Sequence, residues 1–207
     1  MLIAKQICCE KQDRILFQDF DLSIKSGELV LLKGENGAGK TSLLRILVGL
    51  SAPISGSVAI NNIDVHAEPN HALQQVLYIG HKLGLNALLT PIENLQFFNQ
   101  MCAYQNKNQF ILETLDNLGL IGLDDVPVKS LSAGQQRRVA LAKLWLHKSA
   151  KLWVLDEPFT ALDVGLVNML EQQMLSFINS GGAVLMTSHQ ALSIQDHVRT
   201  VQMEYNW

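Results

Sequence analysis

Apolar and polar positions in the first third of the chain fall into short runs that predict strands over Leu2 to Ile7, Phe20 to Ile24, Leu29 to Lys33 and Ser57 to Ile60. Ser26-Gly27 and Ser55-Gly56 supply the reversals between them, and Pro53 is expected to stop a helix that begins near Lys40. A further strand is read over Val76 to Ile79. From Glu93 to His147 the spacing becomes helical. Leu95, Phe98 and Cys102 share one face, as do Phe110, Leu115 and Leu118, while Asn106 to Asn108 and Leu123 to Lys129 read as polar connectors. Strands return at Leu152 to Leu155 and Ala183 to Thr187, separated by a helix from about Val164 to Asn179. Strand, helix and strand in alternation predict an α/β fold: a parallel sheet covered by helices, with antiparallel strands at the start and a mainly helical insertion.

Composition narrows the classes of function. The 207 residues are 48% apolar and 17% charged, with a formal net charge of -3, as expected of one globular domain. No run of five like charges occurs, so neither a nucleic-acid footprint nor a polybasic membrane face is expected. The stretch from Gln172 to Gln195 lacks Asp, Glu, Lys and Arg, yet Asn179, Ser180, Gly181-Gly182 and His189 break it into a helix end, a turn and a strand. The first residues, MLIAKQICCEKQD, lack the apolar core of a secretory signal, so a cytoplasmic placement is expected. Three cysteines without C-x-x-C spacing read as reduced, packed thiols.

Three segments carry chemistry. Directly after the strand ending at Lys33 comes Gly34-Glu35-Asn36-Gly37-Ala38-Gly39-Lys40-Thr41, then Ser42 and the apolar helical run Leu43, Leu44, Ile46, Leu47. This is a G-x-x-x-x-G-K-[ST] phosphate loop in its strand-loop-helix setting. Gly34, Gly37 and Gly39 let backbone N–H groups approach phosphate oxygens, the helix N-terminus adds positive potential, Lys40 reaches the β- and γ-phosphates, and Thr41 offers a hydroxyl to Mg²⁺. The run Leu152 to Glu157 is an apolar strand delivering two acids to a sheet edge: Asp156 suits Mg²⁺ through its water shell, and Glu157 suits the general base that polarises the attacking water. Between these segments, Leu131-Ser132-Ala133-Gly134-Gln135-Gln136 opens a helix.

That last string resembles the signature motif of ATP-binding-cassette (ABC) ATPases, and the order of motifs is similar to that family throughout. Walker A lies at Gly34 to Thr41, the signature at Leu131 to Gln135, Walker B at Leu152 to Glu157, a D-loop at Ala161-Leu162-Asp163 and a switch histidine at His189. The resemblance covers about Leu2 to Met203. It implies a P-loop NTPase of ABC architecture, a single domain over 1–207, with a core of 1–80 and 150–207 and a helical subdomain over about 81–149. It implies Mg²⁺-dependent ATP hydrolysis, with His189 contacting the γ-phosphate and helping to hold Glu157. It further implies a head-to-tail homodimer in which Ser132, Gly134, Gln135 and Asp163 meet nucleotide bound by the partner. His66, His71, His147 and His197 read as ordinary surface histidines.

Two positions depart from the common pattern. His81 stands where the family usually carries the Q-loop glutamine; it reads either as a catalytic-site imidazole that accepts from the attacking water or relays a membrane partner, or as a plain surface residue. Glu10 to Phe17 lacks the tyrosine that usually stacks on adenine, leaving Lys11, Arg14 or Phe17 as candidates. Cys9-Glu10, Arg14 to Phe17, Gly80-His81, the segments Leu131 to Leu146 and Leu155 to Asp163, and Ser188-His189-Gln190 look like the branch that serves cytochrome c maturation as haem-exporter ATP-binding subunits. That narrower resemblance implies peripheral attachment to the cytoplasmic face of the inner membrane, on integral membrane ABC subunits. No direct haem binding is expected, because no C-x-x-C-H motif exists, and no nucleic acid. A P-loop kinase or GTPase fails on the signature helix and the missing N-K-x-D, and a soluble ABC module working on DNA or ribosomes fails on the missing coiled coil.

Overall fold

A computed structural model describes residues 1–102 and 106–203 of the chain. Two sheets share one core. The first is antiparallel and joins β1 (Leu2–Lys11), β2 (Arg14–Ile24), β4 (Ser55–Ile60) and β5 (Ile63–Asp64) in the order β2-β1-β4-β5. The second contains β3 (Leu29–Lys33), β6 (Val76–Ile79), β7 (Leu152–Asp156), β8 (Ala183–Thr187) and β9 (Val198–Gln202), all parallel, in the order β6-β7-β8-β3-β9. Every residue of β7 and β8 is buried, as unbroken apolar runs demand of strands covered on both faces.

Alternation along the parallel strands divides the interior. Val30, Leu32, Leu152, Val154 and Leu185 face α1 (Lys40–Leu47) and the antiparallel sheet. Leu29, Leu31, Trp153, Leu155, Val184 and Met186 face α7 (Val164–Asn179), where Leu170, Met174 and Ile178 complete a second cluster. A third cluster lies among the helices between Walker A and Walker B: α3 (Pro91–Met101), α4 (Asn108–Asn117), α5 (Ala133–Leu141) and α6 (Lys143–Leu146), with Leu95, Ile111, Leu115, Val139 and Leu146 inside. The short α2 (Pro69–Leu73) precedes β6.

Several expectations are corrected. β2 begins at Arg14, six residues before Phe20, because β1 and β2 form one hairpin whose turn places Gln12 and Asp13 at φ 54° and 59°. Both central residues in the left-handed region is the reversal that matches strand twist. Pro53 does not end α1: the helix stops at Leu47, and Gly49 at φ 67° turns the chain. Ser55-Gly56 lies within β4, where Gly56 at φ 95° passes a bulge in β1; a Cβ there would stand 2.4 Å from the Lys5 carbonyl oxygen. The segment Leu123 to Lys129 is not a polar connector, since Val128 is buried and Leu123 and Val126 pack on the third cluster. His147 is no surface histidine: it is 5% exposed beside the Phe98 ring, and burial pushes its imidazole pKa down. The reading of helical spacing across residues 103–105 lies outside the described residues. Strand β9 follows β8 without having been read from the sequence.

Candidate active site

Parallel strands carry their C-terminal ends to one edge, and three of them end at one cavity. β3 runs into the loop Gly34 to Gly39, β7 ends in Asp156 and Glu157, and β8 ends at Thr187, two residues before His189. Because β8 lies between β3 and β7, a gap opens at this edge between the phosphate loop and the acids, the usual place for a ligand in an open α/β sheet. A cavity of about 360 Å³ fills it, lined by Lys11, Leu16, Asn36, Gly37, Gly39, Lys40, Thr41, Ser42, Asp156, Glu157 and His189.

The loop is held from behind and open in front. A Cβ on Gly34 would come within 2.8 Å of the Met203 carbonyl oxygen, so only glycine fits between the loop and the end of the last strand. Gly37 and Gly39 adopt φ 88° and 93°, and Gly39 lies against the Phe17 ring. Lys40 donates from Nζ to the Gly34 and Glu35 carbonyl oxygens at 2.6 and 2.9 Å, folding its ammonium over the loop. Gly34, Glu35 and the fully buried Ala38 shape the loop without lining the cavity.

On the facing wall the Asp156 carboxylate is fixed by two hydroxyls. Thr41 Oγ1 donates to Asp156 Oδ2 at 2.8 Å and Thr187 Oγ1 donates to Oδ1 at 2.8 Å. The same Thr187 oxygen accepts the Glu157 amide at 3.0 Å. Successive strand residues point to opposite faces, so two adjacent acids would ordinarily diverge. Here Glu157 takes φ 52°, a left-handed conformation that costs a non-glycine residue about 1 kcal/mol, and both carboxylates line the same cavity. Glu157 is only loosely held, by the His189 amide at 3.4 Å and His189 Nε2 at 3.5 Å.

The signature residues lie apart from this cavity. Ser132 is the N-cap of α5, its hydroxyl accepting from the Gln135 amide while the Gln135 side chain accepts from the Ser132 amide. That helix end is exposed at Ser132, leaving its first N–H groups at the surface. A Cβ on Gly134 would meet the Ala161 carbonyl oxygen at 2.8 Å, so the signature presses on the D-loop backbone. Asp163 caps α7 by accepting from the Leu166 amide and pairs with Arg138 at 2.6 Å. Within one chain, Ser132, Gly134, Gln135 and Asp163 do not reach the phosphate loop.

His81 is exposed and lines a neighbouring cavity of about 750 Å³ together with Thr41, Ser42, Arg45, Tyr78 and Lys143. It does not share the cavity of Glu157 and His189. Of the candidates for a base platform, Phe17 is withdrawn: it is 2% exposed, packed edge-on to Phe20 beneath Gly39, so Lys11 and Leu16 line the cavity instead. Thr187, which sequence reading did not single out, joins both acids; its signal is one hydroxyl closing a strand of apolar residues.

The geometry fits a triphosphate and a hard divalent ion. Loop amides and Lys40 can take phosphate oxygens, and the Thr41 hydroxyl beside the Asp156 carboxylate can hold Mg²⁺, which keeps most of its ligands as water and phosphate. Among the described residues no group of three or more His, Cys, Asp or Glu could hold a metal on its own.

Comparison with known proteins agrees with this geometry. A family model described as ABC transporter matches residues 17–160. The chain is 45% identical over 191 residues to the cytochrome c biogenesis ATP-binding export protein CcmA of Histophilus somni (strain 129Pt), covering 92% of this chain and 88% of that protein. It is also 45% identical over 196 residues to the protein of the same name from Escherichia coli (strain K12), covering 95% and 92%. Among solved structures, an ATP-binding subunit of an ABC transporter superposes with a TM-score of 0.88 at 23% identity, covering 100% of this chain and 88% of that one. A dimeric ATP-binding cassette in a post-hydrolysis state with ADP and Pi superposes at 0.83 and 24% identity, covering 100% and 97%.

Proposed function

Since the chain belongs to the ABC transporter family as an ATP-binding, ATP-hydrolysing subunit, we propose that it drives the membrane complex of cytochrome c maturation, hydrolysing Mg²⁺-ATP as a homodimer on the cytoplasmic face. The observation that carries the hydrolytic part is the chain of contacts from Thr41 through Asp156 and Thr187 to Glu157 and His189, built around one cavity at the mouth of the phosphate loop. Gly34 to Ser42 bind the phosphates, with Lys40 exchanging two backbone carbonyls for phosphate oxygens. Thr41 and Asp156 hold Mg²⁺, which when bound neutralises charge on the phosphate chain. Glu157 accepts a proton from the attacking water, and His189 orients it from the other side.

Dimerisation follows from what one chain lacks. The exposed N-terminus of α5, with Ser132, Gly134 and Gln135, points no group at its own phosphate loop, and a helix N-terminus is suited to a phosphate supplied by a second copy. Asp163 sits beside it, tied to α5 through Arg138. We assign the core to 1–80 and 150–207 and the helical subdomain to about 81–149.

Attachment to a membrane complex is supported by an apolar rim and not by any span: among the described residues no helix is long and apolar enough to cross a bilayer. Phe97 and Met101, 57% and 71% exposed, flank a cleft of about 430 Å³ that also receives Gly84 and Asn94. His81 lies on the connection from β6 toward this cleft, which suits it to relay docking. The cytochrome c part rests on the 45% identity across most of the chain to proteins named for that process.

The test is genetic. Replacing the chromosomal copy with Lys40→Ala is expected to stop c-type cytochrome assembly while b-type haem proteins form normally, and the protein is expected to copurify with integral membrane subunits. Normal c-type cytochromes in that strain would remove the assignment to this process. Haem titration of the purified chain is expected to give no stoichiometric Soret shift.

A further inference from the structure

Strand β8 is apolar from Ala183 to Met186 and closes on one fully buried hydroxyl, that of Thr187. A valine of the same shape would suit an apolar strand better, because a buried hydroxyl costs free energy unless it is hydrogen-bonded. Thr187 is bonded twice. Its Oγ1 donates to Asp156 Oδ1 at 2.8 Å and accepts from the Glu157 amide at 3.0 Å. The polarity of that bridge is fixed: a hydroxyl carries one hydrogen and a carboxylate only accepts, so the hydrogen points to Asp156 and a lone pair to Glu157.

The two bonds fall where β7 stops being a strand. The parallel ladder between β7 and β8 ends at the pair Asp156–Thr187. One residue on, the Glu157 amide goes to a side-chain oxygen of β8, and the backbone turns to φ 52°. A non-glycine residue keeps that conformation only where its surroundings impose it. The same turn brings Glu157 to the cavity of Asp156, when strand alternation would send it to the other face. Other contacts of Glu157 are longer: its carbonyl oxygen accepts from the Thr160 amide at 3.3 Å, and its carboxylate meets His189 at 3.4 and 3.5 Å.

We infer that Thr187 is a positioning residue for hydrolysis: its hydroxyl, oriented by Asp156, holds the Glu157 backbone in the left-handed turn that sets the base beside the metal ligand. The inference rests on the reading of Glu157 as the base. Shape and packing are properties that valine shares with threonine, so the hydroxyl alone carries the effect.

That contrast gives the experiment, on the full-length chain with Mg²⁺-ATP and with kcat counted per ATP bound in calorimetry. Thr187→Val keeps the shape and discards the hydroxyl; it is expected to hold KM for ATP within about twofold and to lose about tenfold or more in kcat. Thr187→Ala, a second hydroxyl-free variant of different shape, is expected to lose as much, and Thr187→Ser is expected to retain most of kcat. Adding Thr187→Val to Glu157→Gln is expected to cost nothing further, since groups acting as one unit are not additive. Wild-type kcat in Thr187→Val, a serine variant as slow as the valine one, or recovery of the valine variant at raised Mg²⁺, which would put the effect in metal placement, would each overturn the inference. A slow Glu157→Gln protein beside a fast Thr187→Val protein sinks the inference alone; wild-type turnover by Glu157→Gln sinks the base assignment, and Thr187 loses its target with it.

Discussion

Thr41 and Thr187 each take one oxygen of Asp156, so that acid is fixed by the protein itself, while the neighbouring Glu157 carboxylate is held by long contacts alone. A tightly held carboxylate next to a loosely held one suits a pair in which one acid places a metal and the other must accept a proton. Lys40→Ala is expected to reduce ATP hydrolysis by about 10²-fold or more, because it deletes the cation that meets the phosphates. Glu157→Gln is expected to slow turnover by a similar factor of about 10² or more while ATP binding, followed by calorimetry, stays near wild type. Loss of binding in the Glu157 variant would count against its role as base. Chelation of divalent cations is expected to stop phosphate release, and added Mg²⁺ to restore it.

At the scale of elements, caps and ion pairs decide where helices begin. α3 opens with a capping box in which Thr90 accepts from the Glu93 amide and Glu93 accepts from the Thr90 amide. Thr90→Ala is expected to cost about 1 kcal/mol, read as a shift in urea midpoint at constant slope. α7 opens on Asp163, whose carboxyl is held below its ordinary range chiefly by the Leu166 amide, against the opposing effect of desolvation and with help from the Arg138 charge. A carboxylate with a depressed folded pKa stabilises above its unfolded value of about 3.9, and that contribution disappears as pH falls through the folded value below it. Asp163→Asn is therefore expected to lower stability near neutrality, where the carboxylate's contribution is fully present, and to flatten the acid limb below about pH 4, where the wild-type protein loses that contribution and the two curves converge. The helix over Val164 to Asn179 and the strands Leu29 to Lys33 and Ala183 to Thr187 were legible to the residue, because long periodic or uniformly apolar runs have sharp polar ends. The β1–β2 turn was not, since Gln12-Asp13 lacks the glycine that usually marks it, nor was β9, whose Val198 to Gln202 alternates too weakly at an exposed edge. In the site, the phosphate loop and both acids stood out by spacing, whereas Thr187 acquires meaning only through distant partners, the Asp156 carboxylate and the Glu157 amide.

At the scale of the molecule, the phosphate loop and the signature are parts of one chain that do not meet within it. Light scattering of the Glu157→Gln protein is expected to show a dimer at saturating ATP and a monomer without nucleotide, and Ser132→Arg added to it is expected to keep ATP binding yet block the dimer. A protein that stays monomeric with ATP would remove the head-to-tail arrangement. The sheet also carries its own optical label. Trp153, three residues before Asp156 on β7, stacks on Phe177 of α7 with ring centroids 3.8 Å apart and planes 2° from parallel. A buried indole fixed against a second ring in an asymmetric setting absorbs left- and right-circularly polarised light unequally, and that near-ultraviolet dichroism vanishes when tertiary packing is lost even if helices persist. The band of Trp153 thus reads whether α7 is docked on the strand that bears the acids, a quantity that far-ultraviolet spectra do not see.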